Sequence, residues 1–368
     1  MTTSTLETPT TPRRDYPSYS RNVVARVLLN RESAVIAALV IVYVYSLLNV
    51  EFFDGPLTTY NLAKEYAPIL MMALPMTLII ITGEIDLSVA STLGVSAAFC
   101  GVLVKEHDVS MPTALVLTLL LGLVLGAVNG FLVAYVGLPS LAVTIGTLAL
   151  YRGLAEGLIQ TDRIAGFPPA WQDWPTERIG DSSYPMIVIP VVVLAVLFGL
   201  LLHFTSFGRG VYEIGLSTEA AHFSGVNVAR TKFLLFLLSG LVASLAGIYV
   251  MLRADSAATD TGIGLELKVI ASVLLGGVSI FGGRGALHGV VAGVLLIAVL
   301  NSALQLSNQG SEIIQIIIGL LLVVSVIASS FLPRVRELLP RRTAADRPTT
   351  PPDTQAPPAK VHRQGDER

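Results

Sequence analysis

Two carboxylates, Glu84 and Asp86, stand in the segment Thr82-Gly-Glu-Ile-Asp-Leu-Ser88, between two long apolar runs and with no Lys or Arg close by in sequence. Ionisable groups at membrane depth are costly and ordinarily face a cavity or another protein group, so this pair could gate the passage of a solute. Asp86 or Ser88 could equally N-cap a helix beginning at Leu87, where a carboxylate complements the positive helix end. The two roles are compatible, because interrupted helices are where transporters place their sites. Asn129, Thr144, Thr147 and Asn301 are further polar groups inside apolar runs. With Glu84, Asp86 and Ser88 they form the candidate translocation path, although polar groups in such runs mostly make interhelical hydrogen bonds. Arg152 and Glu156, four residues apart, are expected to pair on one helix face.

Catalytic chemistry is missing by comparison. None of the lysines Lys64, Lys105, Lys232, Lys268 and Lys360 follows a glycine, so there is no phosphate-cradling Gly-Lys-Ser/Thr loop. G-x-S-x-G and H-E-x-x-H are absent too. Cys100 is the single cysteine, which excludes an internal disulfide and a thiolate metal cage. His288 has no second His or Cys near it in sequence, so no metal site is expected.

The elements that must hold these residues are apolar helices. Of 368 residues, 53% are hydrophobic and 14% charged, and the mean hydropathy is +0.69, which excludes a soluble globule. A net charge of −2 offers no field that would draw in nucleic acid. Runs close to the roughly 20 residues that cross a bilayer recur at Ser33–Val50, Ala67–Thr82, Leu87–Val104, Pro112–Val136, Leu138–Ile159, Tyr184–Phe204, Lys232–Leu252, Leu287–Leu306 and Ile313–Phe331. Val269–Phe281 is a tenth, short and interrupted by Gly276 and Gly277, which fits a broken span or a re-entrant loop.

The fold expected is therefore an all-α polytopic membrane protein of about ten transmembrane helices, one of them short or broken. Residues 33–332 form the membrane domain, flanked by tails at 1–32 and 333–368 that composition leaves disordered. With both tails inside, basic residues gather in the tails, the 205–231 loop and Arg284. The outer loops hold only Lys64, Lys105, Arg163, Arg178, Arg253 and Lys268, the asymmetry of an inner-membrane protein.

Gly122, Gly126 and Gly130 recur at four-residue spacing, as do Gly285, Gly289 and Gly293, with a looser stripe at Gly240, Ser244 and Gly247. Such stripes let helix backbones approach closely in lipid and read as packing surfaces rather than as a substrate path. In the 205–231 loop, Ser217 or Thr218 can N-cap a short helix over Glu219–Ser224 that Gly225 ends. Ala220, Ala221, His222 and Phe223 supply too little Trp, Leu, Lys or Arg for a surface-lying amphipathic helix, so a docking element for a soluble partner is expected.

Four segments resemble the signature segments of the ribose-type permease subunits of bacterial ABC sugar importers. They are Gly-Glu-Ile-Asp-Leu-Ser-Val-Ala-Ser (83–91), Leu-Pro-Ser-Leu-Ala-Val-Thr-Ile-Gly-Thr-Leu-Ala-Leu-Tyr-Arg-Gly (138–153), Thr-Ser-Phe-Gly-Arg-Gly-Val-Tyr-Glu-Ile-Gly (205–215) and Val-Leu-Leu-Gly-Gly-Val-Ser-Ile-Phe-Gly-Gly-Arg-Gly (273–285). Within that family the chain resembles the rhamnose and autoinducer-2 permeases. The resemblance implies a membrane subunit that binds no cofactor itself, ATP and Mg being held by a separate ATPase of tandem cassettes. It also implies a second permease copy or paralogue, and an extracytoplasmic binding protein that delivers a small neutral sugar. Coupling to the ATPase would fall on Gly208, Arg209, Glu219, Ala220, Ala221 and Gly225. At position 84 members of the family often carry Gly where this chain has Glu84. The rival expectation is an ion-coupled secondary transporter working alone, with Glu84 and Asp86 as coupling acids.

Overall fold

The computed structural model describes residues 31–159, 163–310, 312–317, 319–321 and 323. The predicted N-terminal tail up to residue 30, the C-terminal tail and most of the Ile313–Phe331 run lie outside the described residues. The helices are α1 (Arg31–Asn49), α2 (Pro56–Ile81), α3 (Val89–Lys105), α4 (Met111–Ala134), α5 (Ser140–Leu158), α6 (Pro169–Gln172), α7 (Val188–Phe204), α8 (Ser206–Leu216), α9 (Thr218–Phe223), α10 (Val228–Ala254), α11 (Leu265–Leu275) and α12 (Leu287–Leu306). Two three-residue strands, β1 (Arg163–Ala165) and β2 (Ser256–Ala258), pair antiparallel with Ile164 opposite Ala257, a small exception to the all-α expectation.

The bundle is built around α2 and α10. Pro56 starts α2 at a position whose N–H is unused anyway. Met71, Met72, Leu74, Met76, Leu78, Ile79, Ile80 and Ile81 on α2 are fully buried. Helix α10 is the longest, capped by Asn227, whose side-chain oxygen accepts from the Arg230 N–H at 3.0 Å, and it packs on α4, α3 and α2. Val116, Leu120 and Val124 of α4 and Val192, Val193, Val196, Leu197 and Leu200 of α7 point outward. A continuous apolar exterior of this kind is untenable in water and is what lipid requires.

Five helices among the described residues are long and apolar enough to cross a membrane: α1, α2, α4, α10 and α12. Helices α7 and α8 make a sixth if the pair, bent by 68°, is one broken span. The expected ten crossings are thus not reproduced by length and apolarity. Helix α3 has only 17 residues, α5 carries Arg152 and Glu156, and α11 stops after 11 residues at the glycine turn that follows Leu275.

The two ends of the bundle are distinct. At one end Lys105 donates to the Gly166 carbonyl, the strands pair, and Tyr249 and Arg253 both donate to the Lys64 carbonyl. At the other end lie the C-terminus of α2, the N-termini of α3, α5 and α10, helices α8 and α9, and the Gly282–Gly285 turn. Gly283 N–H donates to the Ile81 carbonyl there, at 2.8 Å.

Candidate functional site

Helix α2 stops because Gly83 takes a left-handed conformation (φ +84°) that other residues adopt at a cost. The chain then runs unwound through Glu84-Ile85-Asp86 before α3 begins at Val89. The first turn of α5 clamps the Ile85 peptide on both sides: its N–H donates to Ser140 Oγ at 3.1 Å, and its carbonyl accepts from Thr144 Oγ1 at 3.2 Å. Backbone left free by a broken helix in lipid needs partners of this kind.

The clamp turns Asp86 inward, where it is 3% exposed. One carboxylate oxygen accepts from the Ser88 N–H at 3.0 Å and Ser88 Oγ at 2.6 Å, and the other accepts from Ser239 Oγ of α10 at 2.7 Å. Ser88 Oγ in turn accepts from Asn129 Nδ2 of α4 at 2.7 Å. The break ahead of α3 therefore meets α4 and α10 in one buried polar node. Asn129 is 2% exposed, and its Oδ1 has no hydrogen-bond partner among the described residues. Among the described residues no cation pairs with Asp86, whose carboxyl group is held by hydrogen bonds alone. The capping expectation takes a modified form: Asp86 holds the Ser88 N–H one residue ahead of α3, while the Ser88 hydroxyl caps nothing and bonds Asp86 instead.

Glu84 departs from its sequence reading. It lies 2.5 Å from Lys232 Nζ near the start of α10, and both side chains are 16% exposed. The fold brings in a cation that local sequence does not contain. Lys232 and Ser239 are seven residues apart on α10, so the Lys232 backbone lies about 10 Å nearer the start of that helix than the Ser239 backbone.

The other predicted path residues fall elsewhere or serve locally. The Thr147 hydroxyl donates to the Val143 carbonyl of its own helix at 3.1 Å. Asn301 lies beside Tyr66, toward the opposite end of α2 from Asp86. The expected Arg152–Glu156 pair is not formed; Arg152 donates to the Thr261 carbonyl at 2.8 Å and the Thr259 carbonyl at 3.4 Å. Carbonyls within reach satisfy the guanidinium without the partner one turn away.

The glycine stripes meet each other. A Cβ on Gly122 would strike Ser244, one on Gly126 would strike the Phe236 carbonyl, and one on Gly130 would crowd Phe233. Gly240 lies against Gly122 and Gly126, so α4 and α10 pack backbone to backbone. Gly289 and Gly293 meet Gly276 and Ser272 at the end of α11, while Gly285 belongs to the turn and faces Val278.

At the same end, the loop predicted to carry one short helix carries two. Thr205 Oγ1 accepts from the Gly208 N–H at 3.1 Å and starts α8, where Gly208 lies buried against the Leu202 carbonyl and Arg209 is exposed. Ser217 Oγ accepts from the Ala220 N–H at 3.2 Å and starts α9, and Gly225 (φ +90°) follows its end. Glu219 and Ala220 are exposed, Ala221 is buried, and Phe223 stands 90% exposed. Lys232, Ser239, Ser140 and Tyr212 are neighbours of the site that sequence reading did not single out, although Ser140 and Tyr212 stand within the quoted segments 138–153 and 205–215.

A multi-pass helical bundle with a buried polar break, and with capped helices projecting from the same end, defines a membrane transport subunit rather than an enzyme. The chain belongs to the family described as branched-chain amino acid transport system / permease component, which matches residues 58–326. It is 34% identical over 306 residues to the autoinducer 2 import system permease protein LsrD of Yersinia enterocolitica, covering 81% of this chain and 91% of that one. The LsrD protein of Photorhabdus laumondii is 34% identical over 273 residues, 73% of this chain and 81% of its own. That of Yersinia pseudotuberculosis is 33% identical over 303 residues, 80% and 90% of the two chains. No solved structure matches the chain.

Proposed function

We propose that this chain is the permease subunit of an ATP-driven importer for a small, neutral, hydroxyl-rich molecule of the monosaccharide or autoinducer-2 kind. The position of α9 carries the reading: a capped helix with exposed Glu219, Ala220 and Phe223 stands between two membrane helices at the end of the bundle where the Asp86 break closes. A soluble ATPase gripping α9 would move α8 and α10 as levers, and the bundle would alternate between outward-open and inward-open states. ATP and Mg belong to that partner. An extracytoplasmic binding protein would deliver the solute at the strand-bearing end, and a second permease copy or paralogue would complete the path. The α9 end then faces the cytoplasm, with both termini on that side. Ser88, Asn129, Thr144 and Ser239 suit a neutral ligand, which needs hydrogen-bonding groups rather than ion-pairing ones.

Replacing Ala220 with Trp tests the docking role. Uptake and retention of the ATPase on the purified permease should both fall at least tenfold, with the permease still in the membrane; undiminished uptake with the ATPase attached would refute it. The uncompensated Asp86 carboxylate favours a second reading, an ion-coupled carrier working alone. Uptake into vesicles driven by an ion gradient without ATP would support that carrier.

A further inference from the structure

One contact joins the α8–α10 segment directly to the Thr82–Ser88 break, and others join α8 to the end of α2 and to the 282–285 turn that caps it. Lys232 at the start of α10 pairs with Glu84 at 2.5 Å. The Gly283 N–H donates to the Ile81 carbonyl at 2.8 Å, and a Cβ on Gly215 of α8 would collide with both of those backbone groups. Tyr212, also on α8, donates its hydroxyl to the Gly285 carbonyl at 2.7 Å and holds the turn from the other side. The turn can enter this space because Gly282 (φ +81°) and Gly283 (φ +70°) adopt left-handed backbone without a side chain to place.

These contacts make the end of α2 dependent on another segment. Carbonyls in the last turn of a helix have no intrahelical donor, and here the Ile81 carbonyl takes its donor from the 282–285 turn that α8 braces. The ion pair is mostly withdrawn from solvent, so parting it strands each charge in a poorly solvated place; such a pair is either made or broken, with little in between. Glu84 lies two residues from Asp86 on the unwound strand, so its position sets that of the node.

We propose that the Glu84–Lys232 pair and the Gly283–Ile81 hydrogen bond form a latch that keeps the Asp86 node closed, with Lys232 and Tyr212 as positioning residues. Displacement of α8 and α9 opens the node by drawing Lys232 away from Glu84. The latch rests on the reading of α9 as the docking helix, but its closure is a property of the chain alone and can be measured without the ATPase.

The probe is a thiol on the buried side of α5, one turn beyond the Thr144 that clamps Ile85. Thr147→Cys in a Cys100→Ala background, purified in detergent, should react slowly with a small charged methanethiosulfonate. Adding Lys232→Gln should speed labelling at least tenfold, and Tyr212→Phe about threefold. Reversing the pair, Glu84→Lys with Lys232→Glu, should return the rate to within twofold of the parent. Labelling at the parent rate in folded Lys232→Gln and Tyr212→Phe chains, judged by monodisperse elution, would overturn the latch; if Lys232→Gln fails to fold, Tyr212→Phe and the reversed pair decide it. Retention of the ATPase on the parent is scored separately, and its absence refutes the docking reading while leaving the labelling result intact.

Discussion

Asp86 is the residue on which the site turns, because its buried carboxyl group is held by three hydrogen bonds and, among the described residues, by no cation. Removing one donor leaves an acceptor stranded in apolar surroundings. Ser239→Ala should therefore cost about 1–3 kcal/mol, read as a lower thermal midpoint in detergent, with Ser239→Thr recovering most of it. Asp86→Asn keeps an oxygen for the two Ser88 bonds, so the chain is expected to fold and reach the membrane while transport is lost. Failed expression of Asp86→Asn would instead make the carboxylate a folding group. The importance of Asp86 and Ser88 was legible in the sequence, since polar residues between long apolar runs must have partners. The identity of those partners was not: Lys232 lies 148 positions from Glu84, and Ser239 lies 153 from Asp86.

At the scale of elements, the α4–α10 contact shows what small residues do in lipid. With no hydrophobic push between helices, close backbone approach supplies the attraction, and Gly126 against Phe236 and Gly240 leaves no room for a side chain. Gly126→Leu should destabilise the bundle by about 2–3 kcal/mol through overpacking, seen as a lowered midpoint, whereas Gly146→Ala, which meets open space inside α5, should hold the midpoint or raise it slightly. Four-residue spacing made the stripes readable. Helix α8 was not readable, because Gly208, Gly210 and Gly215 disguise a helix whose apolar side, Val211 and Ile214, is buried only once the chain has bent at Thr205. The end of α9 was readable from local chemistry, and Gly225→Ala, forced to φ +90°, should cost about 1–2 kcal/mol and blunt uptake.

For the whole molecule, hydropathy fixed the class and the ordering of the runs but not the number of crossings. Length and apolarity carry that number only when every span is uniform, and α3, α5 and α11 are shortened or carry charge. The juxtaposition of the break, the glycine turn and α8–α9 at one end is a tertiary fact, and it underlies the claim that this chain is a gate worked by a motor outside itself. The direct measurement is solute accumulation in liposomes containing the purified chain alone, under an imposed proton or sodium gradient, then again with the ATPase and binding protein added with ATP. The account predicts no uphill movement in the first case and accumulation in the second. Concentrative uptake by the chain alone would contradict it.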